Sequence, residues 1–154
     1  MFRLTALGGT FDIIHDGHLI LIQNAISVSE KIIIGLTSDS FITNNDKKIT
    51  NNFEQRFENL EKIIHEKFPD CSFEIAKLDD DFGPAIIEGD VDALVVSDET
   101  SKKGDILNAL RKERNLTPVE IVIVPMKMAS DGNRISSTRI RNSEIDSSGN
   151  VLVD

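Results

Sequence analysis

Five short apolar runs, separated by stretches with helical periodicity, constrain this chain more than any other feature. They fall at residues 2–7, 31–37, 72–78, 93–97 and 119–124, and the second holds the β-branched triplet Ile32-Ile33-Ile34. Short, nearly continuous apolar runs of this kind suit strands covered on both faces. Between them, residues 18–28 place Leu19, Ile22 and Ile26 at helical spacing, and residues 53–68 do the same with Phe57, Leu60 and Ile64. Residues 84–88 predict a short helix with proline at its first position, and residues 105–114 a longer one. Ser136, Ser137 and Thr138 suit the cap of a last helix. The polar segment 38–52 reads as a mobile loop. Strands alternating with helices predict an α/β fold: a Rossmann-like, doubly wound parallel five-stranded sheet in a single domain over residues 1–154.

Composition excludes several classes. A chain of 154 residues suits one domain. No apolar run approaches the roughly 20 residues that span a bilayer, so no membrane partner is expected. Residues 1–7 lack the pattern of a signal peptide. The single cysteine, Cys71, precludes an intramolecular disulfide and a cysteine zinc cluster, and a cytoplasmic location is the expectation. Acidic residues outnumber Lys and Arg by 26 to 17, a formal charge of −9, which argues against nucleic acid as a partner. A small anionic substrate needs only a few local cations and helix N-termini.

In wound parallel sheets, ligands bind outside the carboxyl ends of the strands. Three of the loops there carry unusual polar residues: 8–18, 97–100 and 132–141. The first reads Gly8-Gly9-Thr10-Phe11-Asp12-Ile13-Ile14-His15-Asp16-Gly17-His18. Paired glycines admit a ligand close to the backbone. Thr10 offers a hydroxyl and an N–H to a phosphate oxygen, and His15 and His18 flank Gly17 where a helix begins. Together they make an anion site without a Walker-type lysine loop. The fingerprint G-x-G-x-x-G is absent from this turn, which argues against a dinucleotide enzyme.

The segment Gly9-Thr10-Phe11-Asp12, followed by His15-Asp16-Gly17-His18, resembles the hallmark of the HxGH nucleotidyltransferase superfamily. Ile135-Ser136-Ser137-Thr138-Arg139-Ile140-Arg141 is similar to its second signature, ISSTxIR. Val95-Val96-Ser97-Asp98-Glu99-Thr100 and Asn142-Ser143-Glu144-Ile145-Asp146, with Gly149-Asn150 beyond, resemble phosphopantetheine adenylyltransferases of the archaeal and eukaryotic type. That resemblance implies adenylyl transfer from ATP to 4′-phosphopantetheine, giving dephospho-coenzyme A and pyrophosphate. It implies ATP contacts at Gly9, Thr10, Phe11, His15, His18, Glu99, Ser136, Ser137 and Thr138, with His18 steadying the α-phosphate. Lys47, the first of a lysine pair upstream of Glu54-Gln55-Arg56, aligns with the lysine that grips the acceptor, and Thr10 also lies near the acceptor phosphate.

The bacterial branch of the family has an arginine after the fourth strand, where this chain has Ser97-Asp98-Glu99-Thr100. Another cation must then assist the acceptor phosphate: Arg139, Arg141 or Lys102, with Arg139 assigned to that role. Asn108 and Arg111, one helical turn apart, face either the nucleotide or solvent. The expected cofactor is Mg²⁺ carried on ATP, with no metal site of the protein's own. The alternatives are the same chemistry on nicotinamide mononucleotide, cytidylyl transfer, or a non-catalytic nucleotide sensor. Gly9-Thr10-Phe11-Asp12 departs from the Gly-Arg-Phe-x-Pro of the first, and Asn133-Arg134-Ile135-Ser136-Ser137-Thr138 from the Arg-Thr-x-Gly-Ile-Ser-Thr-Thr of the second. The intact set His15, His18, Lys47 and Ser136 argues against the third.

Overall fold

A computed structural model describes residues 1–44, 49–80, 82–83, 89–98, 100–125, 128–133 and 135–152. Its elements are β1 (Phe2–Gly9), α1 (Asp16–Val28), β2 (Ser29–Thr37), α2 (Asp39–Asn44), α3 (Phe53–Lys67), β3 (Phe73–Leu78), β4 (Ala93–Ser97), α4 (Lys102–Glu113), β5 (Glu120–Val124) and α5 (Ser137–Arg141). All five strands are parallel, in the order β3-β2-β1-β4-β5. The expected α/β class, strand number and sheet type are therefore found. The short helix expected at 84–88 lies outside the described residues.

Alternation along each strand sends side chains to opposite faces of the sheet. Leu7, Ile32, Ile34, Leu36 and Val95 pack with Ile22 and Ala25 of α1 and Leu60 and Ile64 of α3 on one face. Ala6, Ile33, Leu94 and Val96 pack with Leu107 of α4 on the other. Two apolar layers on one sheet explain why the central strands read as unbroken apolar runs.

The segment 38–52, expected from its polarity to be a mobile loop, is not wholly one. Residues 39–44 form α2, because Ser38 Oγ accepts the Phe41 N–H at 3.2 Å and Ile42 is buried. One buried isoleucine and a serine cap suffice for a helix of this length, and a composition scan over fifteen residues averages them away.

The order in which successive strands are added reverses direction between β1 and β4, the topological switch point of this all-parallel sheet. β1 stays paired with β2 as far as Gly9↔Leu36, but its pairing with β4 comprises only Thr5↔Ala93 and Ala6↔Leu94. Beyond Ala6 no further β1–β4 pair forms, and the carboxyl ends of the two strands, Leu7–Gly9 and Val95–Ser97, flank the switch point. Two of the three loops singled out from the sequence, 8–18 and 97–100, begin at these strand ends.

Candidate active site

The loop after β1 carries Phe11 in the left-handed region (φ 49°), a conformation few residues other than glycine adopt. Its ring is 1% exposed and lies 4.8 Å, centroid to centroid, from the His18 ring. A Cβ on Gly9 would come within 3.1 Å of that ring, so a side chain there would press on it. Phe11, expected at the nucleotide, therefore turns its ring inward. Its ring is a wedge under His18.

His15 and His18 cap α1 reciprocally. His15 Nδ1 accepts the Gly17 N–H at 3.1 Å, and His18 Nδ1 accepts the His15 N–H at 3.2 Å. The rings stack at 3.8 Å. With each Nδ1 acting as an acceptor, the proton of each neutral imidazole resides on Nε2. The cap therefore fixes which nitrogen is the ring donor, and donors at a helix N-terminus suit an anion.

Thr10 and Thr37 meet across the ends of β1 and β2: the Thr37 hydroxyl donates to Thr10 Oγ1 at 3.2 Å, which directs the Thr10 hydroxyl proton elsewhere. Beneath them lies Arg56, fully buried. Its Nη1 donates to the carbonyls of Thr10 (3.0 Å) and Thr37 (2.7 Å), its Nε to that of Asn51 (3.1 Å), and its Nη2 to Asp39 (2.7 Å). Asp39 loses some hydration here, yet Arg56 and the Phe53 N–H outweigh that and hold its carboxyl below the usual range. Arg56 was read from the sequence only as a neighbour of the lysine pair. Its helical spacing with Leu60 and Ile64 placed it on the buried face, which was the available signal.

The second signature docks on this loop. Ser136 caps α5 by accepting the Arg139 N–H at 3.2 Å, and Ser137 Oγ donates to the Ile13 carbonyl at 3.0 Å. Arg141 Nη2 donates to Asp12 and its Nε to Thr50 Oγ1 at 2.9 Å. Asp12, 5% exposed, also accepts the N–H groups of Thr50 and Asn51, each at 2.9 Å. Burial raises its pKa, but those two N–H donors and Arg141 together hold the carboxyl below the usual range. Residues 124 positions apart in the chain are thereby joined at Ile13 and Ser137. Gly149 (φ 86°) supports the back of the signature, where a Cβ would strike Ile135 at 2.7 Å.

The remaining expected residues fall in different places. Arg139, assigned to the acceptor, pairs with Asp131 and lies 3.7 Å from Glu144 Oε1, so it must exchange partners to reach a phosphate. Arg141 is held by Asp12 and Thr50, while Lys102 is exposed at the start of α4. Asn108 and Arg111 belong neither to the nucleotide nor to open surface. Asn108 exchanges two hydrogen bonds with Val119, and Arg111 donates to the carbonyls of Thr117 and Gly89, all before the amino ends of β4 and β5. At the carboxyl end of β4, Ser97 and Thr100 form a closed turn through their hydroxyls, 2.9 Å apart. Lys47 and Glu99 lie outside the described residues. Burial pushes the Cys71 thiol up, which disfavours its thiolate.

Comparison with known proteins agrees with this arrangement. The family model for cytidylyltransferase-like proteins matches residues 6–143. A phosphopantetheine adenylyltransferase of Methanopyrus kandleri is 37% identical over 145 residues, covering 94% of this chain and 92% of the relative. One of Methanosarcina barkeri is 43% identical over 149 residues, covering 95% and 91%. Among solved structures, a protein of unknown function from Archaeoglobus fulgidus superposes with a TM-score of 0.71 at 33% identity, covering 79% of this chain and 89% of that one. With near-complete coverage at this level of identity, the chain belongs to the cytidylyltransferase-like family and, within it, to the phosphopantetheine adenylyltransferases.

Proposed function

We propose that the chain transfers the adenylyl group of ATP to 4′-phosphopantetheine, releasing pyrophosphate and forming dephospho-coenzyme A. The observation that carries the reading is the convergence of both signatures on the loop after β1, joined by Ser137 to Ile13 and Arg141 to Asp12. The acceptor is a phosphate monoester whose second pKa is about 6, so it is a nucleophile near neutral pH without a general base. Its oxygen attacks the α-phosphorus in line, the bond to the β-phosphate oxygen breaks, and pyrophosphate leaves with that electron pair.

The problem for the protein is repulsion between two polyanions, and preorganised donors answer it. In our reading, His18 donates from Nε2 to the α-phosphate as charge grows there. Gly9, Phe11 and His15 contribute the main chain and cap around the triphosphate, and Ser136, Ser137 and Thr138 hold its far end. Glu99 lies beside the nucleotide. Thr10, Lys47 and Arg139 receive the acceptor phosphate, Arg139 after release from Asp131. Mg²⁺ arrives on ATP and neutralises part of its charge. A substrate-borne ion needs no metal site of the protein's own. The substrates are small molecules, with no role for nucleic acid or membrane. No helix among the described residues is long and apolar enough to cross a bilayer.

Pyrophosphate release with ATP, offering 4′-phosphopantetheine, nicotinamide mononucleotide and glycerol 3-phosphate in parallel, tests the reading. Turnover of phosphopantetheine alone supports it. Turnover of nicotinamide mononucleotide with none of phosphopantetheine refutes it.

A further inference from the structure

Asp12 is a buried side chain that ties together three separate parts of the site. It sits in the loop after β1, three residues before His15. Its two oxygens take the N–H groups of Thr50 and Asn51, immediately ahead of α3, and the guanidinium of Arg141 at the end of α5. The tie is doubled on both sides. Asn51 Nδ2 donates back to the Asp12 carbonyl at 2.8 Å, and Arg141 reaches past Asp12 to Thr50 Oγ1. At 3% side-chain exposure, the carboxylate is shielded from water that would otherwise compete for these donors.

We propose that Asp12 is a positioning residue for adenylyl transfer, setting the register between the α5 signature, the loop of the two histidines and the segment at Thr50–Asn51. The proposal rests on the function proposed above. Asp12 touches neither substrate. It acts through Arg141, which carries the residues assigned to the triphosphate, and through Thr50, three residues after the lysine assigned to the acceptor. Each substrate could still bind its own half of the site if the tie were cut, but the α-phosphorus and the attacking oxygen would no longer be held in line. Misplacement by about 1 Å costs on the order of 10²-fold in rate. A residue that served the fold alone would instead lower thermal stability and leave turnover unchanged wherever the protein is folded.

The test is Asp12→Asn, which keeps the shape but sets an NH₂ group against donors. Calorimetry gives the affinity for ATP alone and for phosphopantetheine alone, and steady-state kinetics gives kcat well below the midpoint of unfolding. The expected result is a kcat lower by about 30- to 100-fold, with both affinities within about threefold of the parent. Arg141→Lys keeps the charge but cannot bond Asp12 and Thr50 together. It carries the test if Asp12→Asn fails to fold, with an expected loss of about tenfold in kcat. The double variant should be no slower than the slower single one, as for two residues acting as a unit. A kcat within threefold of the parent, or a loss matched by equal losses in both affinities, overturns the proposal while the parent still turns over. A parent protein that makes no dephospho-coenzyme A overturns the functional reading and this proposal with it.

Discussion

Replacing Arg56 with methionine tests whether the floor of the site is held by one side chain. The guanidinium is fully buried and serves the carbonyls of Thr10, Thr37 and Asn51, as well as Asp39. Methionine fills much of the volume and removes every donor. A buried polar group left without a partner costs about 1–3 kcal/mol, and the Thr37 carbonyl is enclosed while the other two are partly so, giving about 2–4 kcal/mol in total. The Asp39 side chain is 45% exposed and can turn to water, so its lost ion pair adds little. At roughly 2–4 °C per kcal/mol for a chain of this size, the midpoint of thermal unfolding should fall by about 5–15 °C. The chain has no Trp or Tyr, so urea and thermal unfolding are best followed by far-ultraviolet circular dichroism. Arg56→Lys should recover part of the loss, because one ammonium can satisfy some but not all four acceptors. Stability of Arg56→Met within about 0.5 kcal/mol of the parent would refute the argument, since that is the scatter of ordinary surface substitutions.

Other outcomes follow from the same geometry. His18→Ala should lower kcat by about 10²–10³-fold, with ATP affinity by calorimetry nearly unchanged; near-normal kcat with only a raised KM would mean that His18 merely binds. Lys47→Ala should depress kcat/KM for phosphopantetheine strongly and spare ATP affinity, whereas Lys48→Ala should do neither; equal small losses would reduce the pair to solvated charges. Because its neighbours hold Asp12 below the usual carboxylate range, its ionised form stabilises the fold above about pH 4, the unfolded value, and that contribution disappears as pH falls through the lower folded value. The stability difference between the parent and Asp12→Asn, from urea titrations at descending pH, should therefore shrink in acid; a difference that grows would reverse the sign of the coupling.

Much of this was legible in the residues. β4 falls where Ala93-Leu94-Val95-Val96-Ser97 placed it, because a strand buried on both faces leaves an unbroken apolar run. The two signatures were legible as motifs, and the sheet brings them together at its switch point. What stayed hidden was polar and buried. Helical spacing puts Arg56 on the buried face of α3, but nothing local says that four partners will converge on it, or three on Asp12. Asn108 and Arg111 failed for the same reason: helical spacing showed that they share a face, but not that the face meets the turn before β5. α1 starts at Asp16, earlier than the apolar periodicity suggested, because a histidine pair caps it in place of the usual short polar residues.

The central claim, direct transfer between two bound substrates, is tested most directly with 4′-phosphopantetheine carrying ¹⁸O in its phosphate. After reaction with unlabelled ATP, mass spectrometry of the products reads which bond was made. The account predicts that all of the label stays in dephospho-coenzyme A and that none appears in pyrophosphate, because the acceptor oxygen attacks the α-phosphorus and the bridging oxygen of ATP departs. Label in pyrophosphate, an adenylylated protein with ATP alone, or no dephospho-coenzyme A at all would contradict it.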